Sequence, residues 1–368
     1  MPGFRSRKST RRRRSVIQLT MLISMRFKFV WLTLHCVGLL LCVNLPVAAQ
    51  PITAVAVKLP GGDGGIGFDD MGFAPLLHMI LVPAGRTGNL DLIDPATKQV
   101  TVIGGFSNRP FFGGGHYEGV TSADEGGGLL FATDRDATQL DVIDPKTKSV
   151  VARAPLASTP DYVRFVDSTG ELWVTEPDSA RIEIFSLPAH QSVPTPIHAG
   201  FIAISGGPES LLIDNRRGRA YTHRWRDTTI ALDLKSRTVA ARWKNGCDGS
   251  RGIAMDDARG FLFVGCDEGK LVVLDLSTGA ELGQASTGAG VDIIAYNPQL
   301  AHVYVPGEAS ASMAIVGISL KGAAALLGTA ETAKGAHCAA ADDSDKVYIC
   351  DPAGGRILVF KDSFSLSK

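Results

Sequence analysis

The stretch from Gly128 to Lys148, GLLFATDRDATQLDVIDPKTK, decides the fold, because the chain repeats its pattern seven times after residue 70. In each copy a turn rich in Gly or Asp leads into a short apolar strand, and a polar turn then leads into a second strand. The centres of the first of these strands are Ile80, Phe131, Trp173, Tyr221, Phe263, Tyr304 and Tyr348. Neighbouring centres lie 41 to 51 residues apart.

A repeat of this length with strand patterning is typical of a propeller blade. A lone four-stranded sheet cannot bury both of its faces, so it must stack on neighbouring sheets. A doubly wound sheet would need helical stretches between its strands, and the sequence has none of useful length. A β-sandwich with coincidental spacing is the alternative. The pattern predicts an all-β, seven-bladed β-propeller.

The chain ends indicate how the propeller closes. The seventh copy, from Gly335 to Phe364, ends after its third strand and leaves no sequence for a fourth. The segment Ile52–Leu59 has the composition of a strand. We expect this N-terminal strand to pair into the last blade, which would join the two chain ends and remove two exposed sheet edges.

Several quoted segments resemble the YVTN-repeat β-propeller family, whose name describes an aromatic residue followed by Val, Thr and Asn. Trp173–Glu176 (WVTE), Phe131–Asp134 (FATD) and Tyr304–Gly307 (YVPG) are close variants, and Thr159–Asp161 and Gly207–Glu209 match the family's blade openings. The resemblance covers residues 50–368, although no YVTN tetrapeptide occurs in them. It implies the propeller fold. Members include binding proteins of unknown ligand, and relatives include lactonases and redox-cofactor carriers.

The N-terminal residues 1–49 are predicted to be a secretory signal peptide with an extended basic region. They contain nine Lys and Arg and no acidic residue, then an apolar run from Phe29 to Leu45, then Val47-Ala48-Ala49. Arg11–Arg14 could instead belong to a twin-arginine signal, and the apolar run could be a retained anchor. Met25 opens a more typical leader and is a candidate for the true start. The expected location is the periplasm or the extracellular space.

The charge of residues 50–368 argues against nucleic acid as a partner. The whole chain has 37 basic and 37 acidic residues, and removal of the nine in the leader leaves 28 basic ones, for a net charge of about −9 with neutral His. An acidic domain without a basic cluster binds nucleic acid poorly. We expect one propeller domain over residues 50–368, monomeric and without a stable membrane span once the signal is cleaved.

Four cysteines remain in the predicted mature chain. The innermost strand of a blade and the next strand form a hairpin, so residues near the start of one face residues near the end of the other. This geometry places Cys247 near Cys266 and Cys338 near Cys350 and predicts those two disulfides, out of three pairings. A metal or haem site is the rival interpretation, and neither CxxC nor CxxCH occurs.

Candidate functional residues come from the start of each innermost strand, where seven loops surround one end of the central channel. Each blade offers an ionisable residue there, and His116 accompanies one of them. The candidate ligand-binding residues are Asp69, His116, Glu118, Asp161, Glu209, Arg251, Asp292 and His337. They could also be solvated residues of a sequence repeat. Groups that converge on one axis can meet a single ligand, which is the logic of a concave site.

Two chemistries could use this ring. A divalent cation is the cofactor it could hold, and the ligands would be Glu118, Asp161, Glu209 and Asp292. In lactonase-like propellers such an ion polarises an ester carbonyl and activates water. Alternatively, Arg251 and the histidines could clamp an anionic molecule. An outer polar ring is expected where the second strands end, at Asp134, Glu176, Arg224 and Asp351.

The sequence therefore predicts an exported propeller that binds a small molecule or a protein partner at this face of the channel. A divalent-metal-dependent, lactonase-type hydrolase is the first alternative, and a redox-cofactor-binding propeller is the second. The catalytic residues are unknown on any of these interpretations. The long loop that carries Gly113–Gly115 and His116 is the predicted cover of the ligand.

Overall fold

The chain forms seven four-stranded antiparallel sheets in a propeller arrangement, as predicted. The structure, a computed structural model, describes residues 52–188 and 194–367. The predicted signal peptide, residues 1–49, lies outside these described residues. Within them the one helical element is a short 3-10 turn, Pro177–Ser179. No helix of the described part is long and apolar enough to cross a membrane.

The strands are numbered β1 to β28 in chain order, and each blade is numbered from 1 to 7. Blade 1 contains β2 (Gly72–Ala74), β3 (Met79–Pro83), β4 (Thr87–Ile93) and β5 (Val100–Asn108). Blade 2 contains β6 (Val120–Gly126), β7 (Leu129–Asp134), β8 (Gln139–Asp144) and β9 (Ser149–Pro155). Blade 3 contains β10 (Val163–Val166), β11 (Glu171–Glu176), β12 (Arg181–Ser186) and β13 (Ile197–Ala203). Blade 4 contains β14 (Glu209–Asp214), β15 (Arg219–Arg224), β16 (Thr228–Asp233) and β17 (Thr238–Lys244).

The remaining three blades complete the ring. Blade 5 contains β18 (Ser250–Asp256), β19 (Phe261–Cys266), β20 (Lys270–Asp275) and β21 (Glu281–Ser286). Blade 6 contains β22 (Ala295–Asn297), β23 (His302–Gly307), β24 (Ser312–Ile318) and β25 (Ala324–Glu331). Blade 7 contains β26 (Ala339–Ala341), β27 (Lys346–Asp351), β28 (Arg356–Lys361) and β1 (Ala54–Lys58).

The first strand of each blade in the sheet order is the innermost one. Innermost strands of neighbouring blades contact each other all the way round, from β2 through β6, β10, β14, β18 and β22 to β26 and back to β2. This circuit encloses the central channel. All seven innermost strands run in the same sense, so their first residues gather at one end of the channel and their last residues at the other.

The core lies between the blades. The aromatic strand centres found in the sequence are buried, and Phe131, Trp173, Phe263 and Tyr304 have no exposed surface. Each belongs to a cluster of apolar side chains drawn from two neighbouring sheets. The repeat therefore places one large side chain per blade in the seam with its neighbour, and this burial is what holds a stack of small sheets together.

The predicted closure of the ring is confirmed. Strand β1 pairs antiparallel with β28, from Ala54 opposite Phe360 to Lys58 opposite Arg356. Val57 is 7% exposed and packs in one cluster with side chains of blades 7 and 1. The N-terminal strand thus supplies the outer edge of the last blade.

Both predicted disulfides are present. Cys247 is bonded to Cys266 and Cys338 to Cys350, with Cα–Cα distances of 5.4 Å and 5.6 Å. In the β18–β19 hairpin Ser250 lies opposite Cys266. This is the register from which the pairing was predicted.

Asp91 is an anomaly in the core. It lies on β4 between Val82 and Val102 of the flanking strands. It has no exposed surface, and neither of its carboxylate oxygens has a hydrogen-bond partner among the described residues. Burial alone raises the pKa of Asp91 to about 7. The carboxyl is therefore protonated in the folded state over a pH range in which it is ionised in the unfolded chain.

We expect Val57→Asp to lower the free energy of unfolding by roughly 2–4 kcal/mol, because it places an unpaired charge in the seam that closes the ring. Val55→Asp on the same strand is the matched control, since Val55 is 55% exposed. Urea denaturation of the two variants makes the comparison. Equal destabilisation by both substitutions would contradict the placement of Val57 in the seam between blades 7 and 1.

We expect Asp91→Asn to stabilise the protein progressively as the pH rises. Between the unfolded pKa near 4 and the folded pKa of about 7 the folded state binds the extra proton, so the stability of the wild type falls with rising pH. The stability difference between variant and wild type should grow by about 3 kcal/mol from pH 5 to pH 8. Thermal melts at several pH values measure it, with the exposed Asp167→Asn as control. A difference that stays constant with pH would show that Asp91 does not titrate as stated.

Candidate functional site

The end of the channel at which the innermost strands begin is called the upper mouth. Seven of the eight predicted residues form one connected cluster there: Asp69, His116, Asp161, Glu209, Arg251, Asp292 and His337. They come from six blades and one loop, and the topology alone brings them together because every innermost strand begins at this end.

The exception is Glu118. It is 8% exposed and lies 3.4 Å from Arg109 Nη1, within the loop between blades 1 and 2. Arg109 also donates to Asp136. Glu118 therefore helps to hold the loop rather than joining the ion pairs at the axis.

His116 contacts residues of blades 1, 6 and 7 at the upper mouth. Its Nδ1 lies 3.4 Å from Asp69 Oδ1 of blade 1 and 3.8 Å from Asp292 Oδ2 of blade 6, and its ring meets that of His337 with a centroid separation of 5.1 Å. The loop that was predicted to cover a ligand thus reaches across the mouth. Burial opposes the charged form of His116, but Asp69 and Asp292 outweigh it and raise the pKa to about 10.

Arg135 belongs to the cluster and was missed in the sequence. Its Nη1 lies 3.2 Å from Asp161 Oδ1 and 3.8 Å from Asp69 Oδ2, so it bridges two blades. It also lies over the ring of Tyr117 at 5.0 Å. The signal that could have found it is its position, directly after the Asp134 that ends β7.

On the other side of the axis Arg251 pairs with Glu209. Arg251 Nη1 lies 3.1 Å from Glu209 Oε1, and the indole nitrogen of Trp225 donates to Glu209 Oε2. Burial raises the pKa of Glu209 to about 7, and the nearby Asp292 adds to the rise while Arg251 and Trp225 oppose it. Burial likewise raises the pKa of Asp161 and of Asp292.

The possible metal ligands at the upper mouth are arranged differently from the carboxylate site expected from the sequence. Among the described residues the only predicted site residues whose ligand atoms all lie within 4.8 Å of one another are His116, Asp292 and His337, and not the four carboxylates expected from the sequence. The pKa of His116, about 10, leaves both of its ring nitrogens protonated near neutral pH. His337 Nδ1 lies 2.7 Å from the carbonyl oxygen of Gly335, and its Nε2 lies 2.9 Å from that of Phe68. These three residues could hold a divalent ion only if His116 lost a proton and His337 gave up one of its two contacts.

A pocket of about 300 Å³ opens beside this cluster. Its inner wall contains His116, Arg251 and Asp292, and its rim carries the exposed carboxylates of Asp267 and Glu308. The charges of the inner wall are already paired with each other or with Glu209 and Asp69. Asp267 and Glu308 have no ion-pair partner within 4.0 Å in the described part of the chain, so the charge left for a ligand is negative.

The rim residues lie one position later in the chain than the positions predicted for the outer ring. Three of its predicted members are buried and accept hydrogen bonds from backbone or Arg groups of nearby turns: Asp134, Glu176 and Asp351. In blades 2, 5 and 6 the residue that follows the last residue of the second strand faces the mouth: Arg135, Asp267 and Glu308. The cause is the two-residue alternation of side chains along a strand. Arg224 is exposed, and the following residue, Trp225, contacts Glu209.

Large aromatic side chains stand exposed around the upper mouth. Phe111 is 80% exposed, Tyr117 59% and Trp225 42%. The first two belong to the covering loop, and Trp225 lies in the turn after β15. Exposed aromatic residues next to arginines are typical of protein-binding surfaces.

No protein-family model and no curated protein sequence matches this chain. Membership of the YVTN-repeat family therefore stays a hypothesis. Solved structures do match. A chain of a mitotic checkpoint complex aligns with a TM-score of 0.68 at 11% identity, covering 93% of this chain and 98% of its own length.

Two further structures give the same result. A chain of hydrazine synthase from Kuenenia stuttgartiensis aligns with a TM-score of 0.64 at 12% identity over 83% of this chain and 97% of its own. The Cps50 (Swd1) β-propeller domain from Myceliophteria thermophila aligns with a TM-score of 0.64 at 10% identity, over 83% of this chain and 99% of its own length. Identities this low establish the fold and nothing of the ligand. The chain is a seven-bladed β-propeller.

Proposed function

We propose that this protein is an exported interaction module that takes a basic side chain of a partner protein into the pocket at its upper mouth. One observation carries the proposal: the charges of the inner wall are paired, whereas the rim carboxylates of Asp267 and Glu308 have no ion-pair partner among the described residues. An amine or guanidinium is the group that complements such a rim.

The volume and the surroundings of the pocket support this proposal. About 300 Å³ accommodates one long side chain and is too small for a folded segment. Tyr117 lines the pocket and is 59% exposed, so its ring can meet a cation. Phe111 and Trp225 extend the apolar contact area outside the pocket.

Export is part of the proposal. The basic and apolar leader of residues 1–49 is the pattern of a secretory signal. The two disulfides are of the kind that persists in oxidising compartments. A small molecule with a free amine would bind to the same rim carboxylates, so the proposal also covers a small-molecule ligand of this kind.

Calorimetric titration with N-acetylarginine amide and N-acetylglutamate amide tests the charge preference. We expect the basic probe to bind and the acidic probe not to, and we expect Asp267→Asn and Glu308→Gln each to weaken binding by about threefold to tenfold. The exposed Glu281→Gln on β21 is the matched control and should leave binding unchanged. Tighter binding of the acidic probe would overturn the proposal. It would favour instead an anion site formed by Arg251 and the histidines.

We also expect binding of the basic probe to weaken as the pH falls from 8 to 6. Glu209, with a pKa of about 7, takes up a proton over this range and leaves the positive charge of Arg251 uncompensated beside the pocket. His116 stays charged throughout, because its pKa is about 10. The titration repeated on Glu209→Gln should show little pH dependence. A wild-type affinity that is flat with pH would contradict the role of Glu209.

A metal-dependent hydrolase is the second candidate, and the closeness of His116, Asp292 and His337 is the observation that favours it. Elemental analysis of the purified protein distinguishes the two. A stoichiometric divalent metal that is lost in Asp292→Ala would favour the hydrolase and justify a screen of lactones. Retention of the metal in that variant would assign it elsewhere.

A further inference from the structure

A second cavity, separate from the upper pocket, is the central channel, with a volume of about 770 Å³. It opens where the innermost strands end, here called the lower mouth. The two cavities share no lining residue. A volume of this size lies within the range of sites that bury a small organic molecule.

A partition separates the channel from the upper mouth. Arg164 of β10 donates from Nη1 and Nη2 to the two carboxylate oxygens of Asp70, at 2.5 Å and 2.8 Å, and so spans from blade 3 to blade 1. Ser122 of blade 2 donates to the same carboxylate at 2.6 Å. Tyr162 lies beside this pair, with Arg164 5.4 Å from the centre of its ring. These groups lie between the channel and the upper pocket, which share no lining residue.

The walls of the channel are mainly apolar. Leu212 of β14 and Ile253 and Met255 of β18 are half-buried and line the cavity, as do Phe73 of β2 and the alanines of β26. Leu212, Ile253 and Met255 pack against the core between blades 4 and 5 and leave part of their surface open to the channel. A guest in the channel would bury them.

Most of the charged groups along the channel are paired. At its upper end Asp70 is held by Arg164. At the lower mouth Asp256 pairs with Arg259, Asp257 with Arg217 at 2.6 Å and Asp342 with Lys346 at 3.6 Å, whereas Asp343 is exposed on the rim beside His78. A charged guest inside the channel would find no free counter-ion and would lose its hydration, whereas an uncharged one loses little.

We propose that the channel binds one uncharged, apolar small molecule, which enters through the lower mouth. This site is separate from the upper mouth and does not depend on the function proposed there. The burial of half-exposed wall side chains provides the free energy of binding, and the paired charges exclude ions.

Fluorescence titration of the folded, full-length protein with the neutral probe N-phenylnaphthylamine tests the proposal, with the anionic probe anilinonaphthalenesulfonate beside it. We expect one equivalent of the neutral probe to bind more tightly than the anionic one. Decanol should displace it, and N-acetylarginine amide, the probe of the upper mouth, should not. No binding of the neutral probe, or tighter binding of the anionic probe, would overturn the proposal.

Variants localise the site. Leu212→Trp fills the channel and Met255→Lys places an unpaired charge in it, so we expect each to weaken binding of the neutral probe at least about tenfold. Leu326→Trp on the outer strand β25, where Leu326 is 53% exposed, is the matched control and should bind as the wild type does. Two chemically different channel variants guard against one that fails to fold, and circular dichroism verifies folding. Unchanged binding in a folded channel variant would show that the probe binds elsewhere.

Discussion

Every other feature of the molecule depends on the pairing of β1 with β28. A blade of four short strands has two apolar faces and buries neither alone, so seven blades are stable only as a closed circuit. The seventh blade is built from both ends of the domain, with Ala54–Lys58 completing a sheet whose other strands lie near residue 350. Closure covers the edge that β28 would otherwise expose and places Val57 in the last seam.

Closure also creates the sites. Seven parallel innermost strands bring seven loop ends together at each end of one channel. The two ends differ because their residues differ: buried ion pairs and a histidine-bearing loop close the upper mouth, and apolar strand residues line the cavity below the partition of Asp70 and Arg164. Two chemically distinct cavities, which share no lining residue, thus open towards the two ends of the ring.

The upper mouth shows why a ring of ionisable residues is not in itself a metal site. Carboxylates brought together in a buried cluster raise each other's pKa values and need compensation, and here Arg135, Arg251 and His116 provide it. Each cation bonds the carboxylates that would otherwise coordinate an ion. The net charge that remains for a ligand lies on the exposed rim, at residues that take no part in the ion pairs.

Repeat spacing and local pattern were enough for the seven blades, the N-terminal closing strand, both disulfides and seven of the eight residues at the upper mouth. These features follow from hairpin geometry and from a sequence repeat that occurs seven times in the chain. Side-chain direction at the turns was not predictable, because a shift of one residue reverses the direction in which a side chain points. For this reason Asp134 was chosen where Arg135 faces the mouth. The pairing of charges across blades, the reach of His116 to blades 1, 6 and 7, and the apolar channel arose only in the folded ring, since the residues that they bring together are 26 to more than 200 positions apart.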